Sequence, residues 1–220
     1  MTIELPGLPT GQLFSNSVQM LLAVGAISLV PFFLMSVTSF LRIIIVFSIT
    51  RTAIGTQQIP PNIVLIGLAM FLTVFIMSPV WKEVTEKAVT PYQEGRITQT
   101  KAIENGFAPI QNFMIRQTRE KDLALFVRFS KIPAPKSFED IPFYVVIPSF
   151  MLSELRTGFQ IGFVLFVPFL IIDIVVANIL LSLGMFMLSP VIVSLPFKVL
   201  LFILADGWNL ITTGLLQSFR

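Results

Sequence analysis

The sequence predicts an all-α, membrane-type protein of kinked, proline-broken helical hairpins with a small helical extracytoplasmic insert. Three observations predict it. Apolar residues make up 55% of the 220-residue chain and charged residues 12%, with mean hydropathy +0.86, where a soluble domain carries about 25% charge. The charges are unevenly spread, with three in residues 1–80, eighteen in 81–140 and six in 141–220. The apolar stretches on either side are long enough to cross ~30 Å of hydrocarbon as helices. They are also rich in Pro and Gly, which a bilayer tolerates only where protein or water satisfies the freed backbone groups.

The elements follow in chain order. Residues 1–17 form a short polar tail, with Pro6, Gly7, Pro9 and Gly11 marking irregular backbone. The tail has no Lys or Arg and so lacks the charged start of a secretory signal peptide. Residues 18–81 form a first hydrophobic hairpin. Its first span runs from Val18 to Leu41, with Pro31 predicting a kink or break, and its second from Ile63 to Trp81. Between them Arg42 and Arg51 frame an apolar run, and Gly55-Thr56-Gln57-Gln58-Ile59-Pro60-Pro61-Asn62 reads as a turn.

Residues 82–142 form a polar helical insert and linker. Thr90-Pro91 and Asn105-Gly106 punctuate it, and Pro109 opens a helix toward Ser130 with Arg116 to Asp122 as its solvated section. Lys131 to Pro142 is a proline-rich linker. Residues 143–220 form the second hydrophobic half. Its spans are Phe143 to Leu170, broken by Pro148 and Pro168, then Ile171 to Leu188, and a last segment from Val191 to about Leu216. The first tail carries no basic residues and the loop after the first span carries two, so the positive-inside rule puts Met1 outside, Arg42–Asn62 in the cytoplasm and the insert outside.

Composition also excludes functions. The net charge is +3, with basic residues mixed among acids, so there is no stripe to meet a nucleic acid. The absence of Cys and His removes thiolate chemistry, the commonest general base and the commonest zinc ligands. No phosphate loop, dinucleotide turn or metal cluster appears, and no cofactor is expected. Asp173 and Asp206 are the one candidate for an aspartyl pair, but their surroundings show no glycine-rich approach for a peptide backbone.

Five charges stand in the apolar run from Ile141 to Phe219: Glu154, Arg156, Asp173, Lys198 and Asp206. A charge there must be paired, hydrated or used. Glu154 and Arg156 lie two apart and point to different faces of a helix, while Arg156 and Gln160 share one. The bland reading is a structural pair, Glu154 with Lys198 for instance, orienting two hairpins; the sharper one is a pore-lining or gating contact. Gly184-Met185-Phe186-Met187-Leu188-Ser189-Pro190 is a turn whose side chains need not pack inward. Met usually fills irregular core gaps, yet around a symmetric pore this loop makes a deformable apolar seal.

Segments along the chain resemble the FliP family of flagellar type III export-gate proteins and its injectisome counterpart. They include Thr38-Ser39-Phe40-Leu41-Arg42-Ile43, the Gly55 to Asn62 turn, Phe75-Ile76-Met77-Ser78-Pro79 and Gln117-Thr118-Arg119-Glu120-Lys121-Asp122. Ser153 to Phe163, Pro168 to Asp173 and Ser194 to Leu210 complete the set. The Gly-Thr-Gln-Gln and Gln-Thr-Arg-Glu-Lys-Asp versions look flagellar. The resemblance implies a non-enzymatic channel subunit in the bacterial inner membrane at the flagellar basal body, with the insert periplasmic. It implies a homo-pentamer within a hetero-oligomer with FliQ and FliR, a helical oligomeric channel passing unfolded flagellar subunits, with other export-apparatus proteins as partners.

The family's methionine-rich gasket falls on Met185, Phe186 and Met187, with Phe186 at its central methionine. Glu154 and Lys198 match charged positions bridging subunits, and Arg42 and Gln160 fall in segments assigned to assembly. The resemblance also implies hairpins that pack largely above the bilayer plane once assembled. The rival reading is a secondary transporter, argued from broken helices and intramembrane charges, but residues 18–81 and 143–216 show no internal repeat. A membrane scaffold without a pore is the third.

Overall fold

The computed structural model describes residues 10–56, 58–130, 132 and 140–219, and the regular structure in them is helical. The chain divides into two compact units, Met1–Met35 and Ser36–Arg220. The first unit holds most of helix α1 (Thr10–Val37), which starts inside the stretch expected as irregular tail and runs through Pro31 without a break. The remainder of that tail lies outside the described residues.

In the second unit the chain leaves α1 at Thr38–Ser39 and enters α2 (Phe40–Ile54). Gly55 ends α2 in the left-handed region, at φ 88°, with its N–H donating to Thr52 O at 3.1 Å. That conformation disfavours any residue with a Cβ. Extended Pro61 then launches α3 (Asn62–Val84), as the turn reading expected. A π-helical turn, Thr85–Val89, carries α3 into the short α4 (Thr90–Gln93).

The insert departs from expectation at Asn105–Gly106. These residues lie inside α5 (Gln99–Gln117) and dock it on the π-helical turn. Asn105 Nδ2 donates to Lys87 O at 3.2 Å, and a Cβ on Gly106 would stand 3.4 Å from Ala88 Cβ. The glycine marks a close approach, not a turn. Pro109 likewise sits mid-helix, and the break comes at Thr118–Arg119, before α6 (Glu120–Ser130). Most of the proline-rich linker falls outside the described residues.

The largest correction is α7 (Phe143–Ser182), one 40-residue helix where two broken spans were expected. Each internal proline removes a hydrogen bond, yet burial around Pro148 (Val145, Val146, Ser149 and Phe150) and of Phe169 beside Pro168 keeps the backbone helical. The helix packs along α2 and, more lightly, on α5, α6 and α8. Gly158 and Gly162, four apart, present bare backbone to Ile45 and Ile49 of α2. A Cβ would come within 3.0 Å of Ile45 Cγ2 and 2.4 Å of Ile49 Cδ1. Small residues at this spacing let two apolar helices pack at close range.

A loop leads to α8 (Pro190–Leu204) and α9 (Gly207–Gln217), bent 61° from each other. The expected single last segment is thus broken at Asp206, whose φ of 48° is left-handed. Gly207 follows because a Cβ would lie 2.2 Å from Phe202 Cε2. Phe202 and Phe47 both pack edge-on against Trp208, joining α2, α8 and α9. Asn62–Gln93 and Phe143–Ser182 are each long and apolar enough to cross a membrane, and counting bent pairs as spans raises the number to as many as four.

Candidate functional site

Two features unite the candidate residues: polar junctions between helices, and an apolar loop held away from the core. The main junction forms around Arg42, one turn into α2. Its guanidinium meets the Glu154 carboxylate through two bonds, Nε to Oε2 at 3.0 Å and Nη2 to Oε1. Nη2 also donates to Gln117 Oε1 at 3.1 Å, and Nη1 to Ser218 O at 2.8 Å and Ser218 Oγ at 3.1 Å. The Phe219 ring lies 3.8 Å from the guanidinium carbon. Glu154 is 0% exposed, so its ionised form depends on this fork of donors. One side chain thereby ties α2, α5, α7 and the C-terminal residues together.

Glu154 therefore pairs with Arg42. Within the chain, the Glu154–Lys198 pair suggested for orienting two hairpins is not formed. Lys198 Nζ meets Asp173 Oδ2 at 2.6 Å, and Ser194 Oγ donates to the other oxygen of that carboxylate. The physical reason is helix geometry. Asp173 lies five turns beyond Glu154 along α7, nearer the loop, where α8 folds back beside it. Lys198 also sits by the end of α2, its Nζ 3.9 Å from where a Gly55 Cβ would be. Asp173 is thus held by Lys198 and Ser194 rather than by Asp206, so the aspartyl dyad has no structural basis.

The second junction gathers Arg156 and Gln160, which share a face of α7 as expected. Arg156 Nη1 lies 3.6 Å from Asp122 Oδ1, and Arg119 donates to Gln160 Oε1. Ser153 Oγ donates to Asp122 Oδ2 at 2.7 Å and accepts from Arg119 N at 3.1 Å. Asp122 is buried; its segment was expected to be solvated. Ser153, Gln117, Ser194 and Ser218 were missed as polar partners, since serine and glutamine carry no charge to flag them. Asp206 stands apart and exposed at the α8–α9 break, its side chain making no capping hydrogen bond.

The loop is as open as the Arg42–Glu154 pair is enclosed. Gly184, at φ 75°, caps α7 with its N–H on Leu181 O, and Met185 N–H reaches Leu180 O at 2.9 Å, the paired bonds of a Schellman cap. Pro190 then opens α8 at a position where its missing N–H costs nothing. Between these stops, Met185, Phe186 and Leu188 are exposed and Met187 is 101% exposed. The Lys198–Asp173 pair clasps the hairpin about 13 Å from the ends of α7 and α8 that carry the loop, by helical rise.

Residues 23–215 match the family model described as the FliP family. The flagellar biosynthetic protein FliP of Bacillus subtilis (strain 168) is 52% identical over 205 residues, covering 93% of each chain. The flagellar biosynthetic protein FliP of Pectobacterium carotovorum subsp. carotovorum is 50% identical over 222 residues, covering 98% of this chain and 86% of its own. That of Aquifex aeolicus (strain VF5) is 44% identical over 207 residues, covering 93% and 87%.

Proposed function

The chain belongs to the FliP family, and on that premise we propose that it is a core, non-enzymatic subunit of the flagellar type III export gate. Copies of it, with FliQ and FliR, would surround the channel through which unfolded flagellar subunits cross the inner membrane, the polar insert facing the periplasm. The observation that carries the gating part is the apolar tip Met185-Phe186-Met187, exposed on a loop capped at both ends and standing on a clasped hairpin. Repeated around an axis, such tips form a narrow hydrophobic ring. Water and ions leave a constriction of that kind, while flexible thioethers yield to a passing chain.

The flagellar type of the relatives and their cover of most of the chain support this reading over a secondary transporter. The experiment is ion conductance of the assembled complex in planar bilayers. Alanine or glycine at all three tip positions removes volume from the seal and is expected to make the closed gate leak. Conductance equal to that of the unmodified complex would overturn the gasket role.

A further inference from the structure

Charge pairing in the apolar parts of the chain leaves a remainder. Among the described residues of 10–81 and 143–219, Arg42 pairs with Glu154, Arg156 with Asp122, and Lys198 with Asp173. Arg51 and Asp206 have no ion pair among the described residues. Arg51, near the end of α2, donates to neutral acceptors, Pro60 O and Asn62 Oδ1. Asp206 is exposed in the left-handed conformation at the α8–α9 break, among Ile203, Leu204 and Leu210, all exposed.

The two stand at one level of the bundle. Phe47 and Trp208 touch edge to face, their ring centres 6.1 Å apart. Arg51 follows Phe47 by one helical turn, and Asp206 precedes Trp208 by two residues. Among the described residues, an unpaired cation and an unpaired anion thus stand beside the same contact. Where a contact between copies withdraws them from water, each needs an opposite charge. A head-to-tail contact between copies meets both needs at once.

We propose that Asp206 of one copy forms an ion pair with Arg51 of the next, fixing the register between neighbouring copies. The proposal rests on the oligomeric reading above and adds its contact surface: the α8–α9 break of one copy against the end of α2 of its neighbour. The occupant is a second copy of this chain, because the chain itself supplies both complementary charges.

The natural absence of cysteine makes the test direct. Full-length chains carrying Arg51→Cys and Asp206→Cys, on two differently tagged copies, are produced with the neighbouring export proteins and treated in membranes with a short bismaleimide. This reagent spans more than the few ångströms a disulfide covers. A cross-linked pair carrying both tags is the expected result, and the doubly substituted chain should give a ladder of multimers. An intact oligomer on native gels without such cross-links overturns the proposal and leaves the oligomeric reading standing. A cross-link of either cysteine to a smaller subunit instead also overturns it, and a monomeric unmodified complex sinks both readings. Charge exchange is a second measurement that needs no cysteine. Arg51→Asp and Asp206→Arg alone should each reduce swimming about tenfold or more, as like charges at a contact do. Together they should restore it, and absence of restoration in a double variant that accumulates normally counts against the pair.

Discussion

Lys198 closes its ion pair on Asp173, at 2.6 Å across the α7–α8 hairpin, while Glu154 is held by Arg42 elsewhere along α7. The two basic residues divide the work. One clasps the hairpin that carries the loop, and the other fastens α7 to α2, α5 and the C-terminal residues. The consequences of removing each should therefore differ.

Reversing Lys198 to Glu places two carboxylates together in a nearly closed site, which costs several kcal/mol. The variant should accumulate poorly in membranes. Adding Asp173→Lys should restore its level, and adding Glu154→Lys should not. Immunoblotting of the membrane fraction decides between the two partners.

Arg42→Ala leaves a fully buried carboxylate without its donors and exposes the Ser218 and Gln117 groups to unmet hydrogen bonding. The expected loss is about 3–5 kcal/mol. Replacing both Arg42 and Glu154 with apolar residues of similar volume should destabilise less than Arg42→Ala alone. Protease resistance of the solubilised protein measures the order.

Gly162→Ala inserts a methyl 2.4 Å from Ile49 Cδ1, so α7 and α2 must separate or Ile49 must change rotamer. Overpacking of this kind costs roughly 1–3 kcal/mol. Shortening the neighbour, in the double variant Gly162→Ala with Ile49→Ala, should recover much of the thermal stability lost by the single one. No recovery would mean that the two helices do not meet at this point.

At the loop tip, volume should matter more than sulfur. Leu at Met185 and Met187 keeps apolar bulk and should leave the closed gate tight, whereas Ala at the same positions should leak. Conductance of the assembled complex separates them, and equal leakage from both sets would argue against a hydrophobic seal.

By itself the sequence determined the class of protein, the gathering of most charges into residues 81–140, the turn from Gly55 to Asn62 and the loop from Gly184 to Pro190. These depend on local chemistry: charge density, the left-handed preference of glycine and the missing N–H of proline act within a few residues. It also showed that the charges at 154, 156, 173, 198 and 206 needed an explanation. Tertiary structure alone decided who meets whom. Arg42 and Glu154 are 112 positions apart, and two bases facing several acids admit more than one pairing until helix lengths and directions are set. The same holds for Pro148 and Pro168, where burial along α7 outweighs a local tendency to break, and for Gly106, whose missing side chain serves a neighbouring helix. Long-range packing overrules local preference wherever the area it buries is worth more than the hydrogen bond or turn given up.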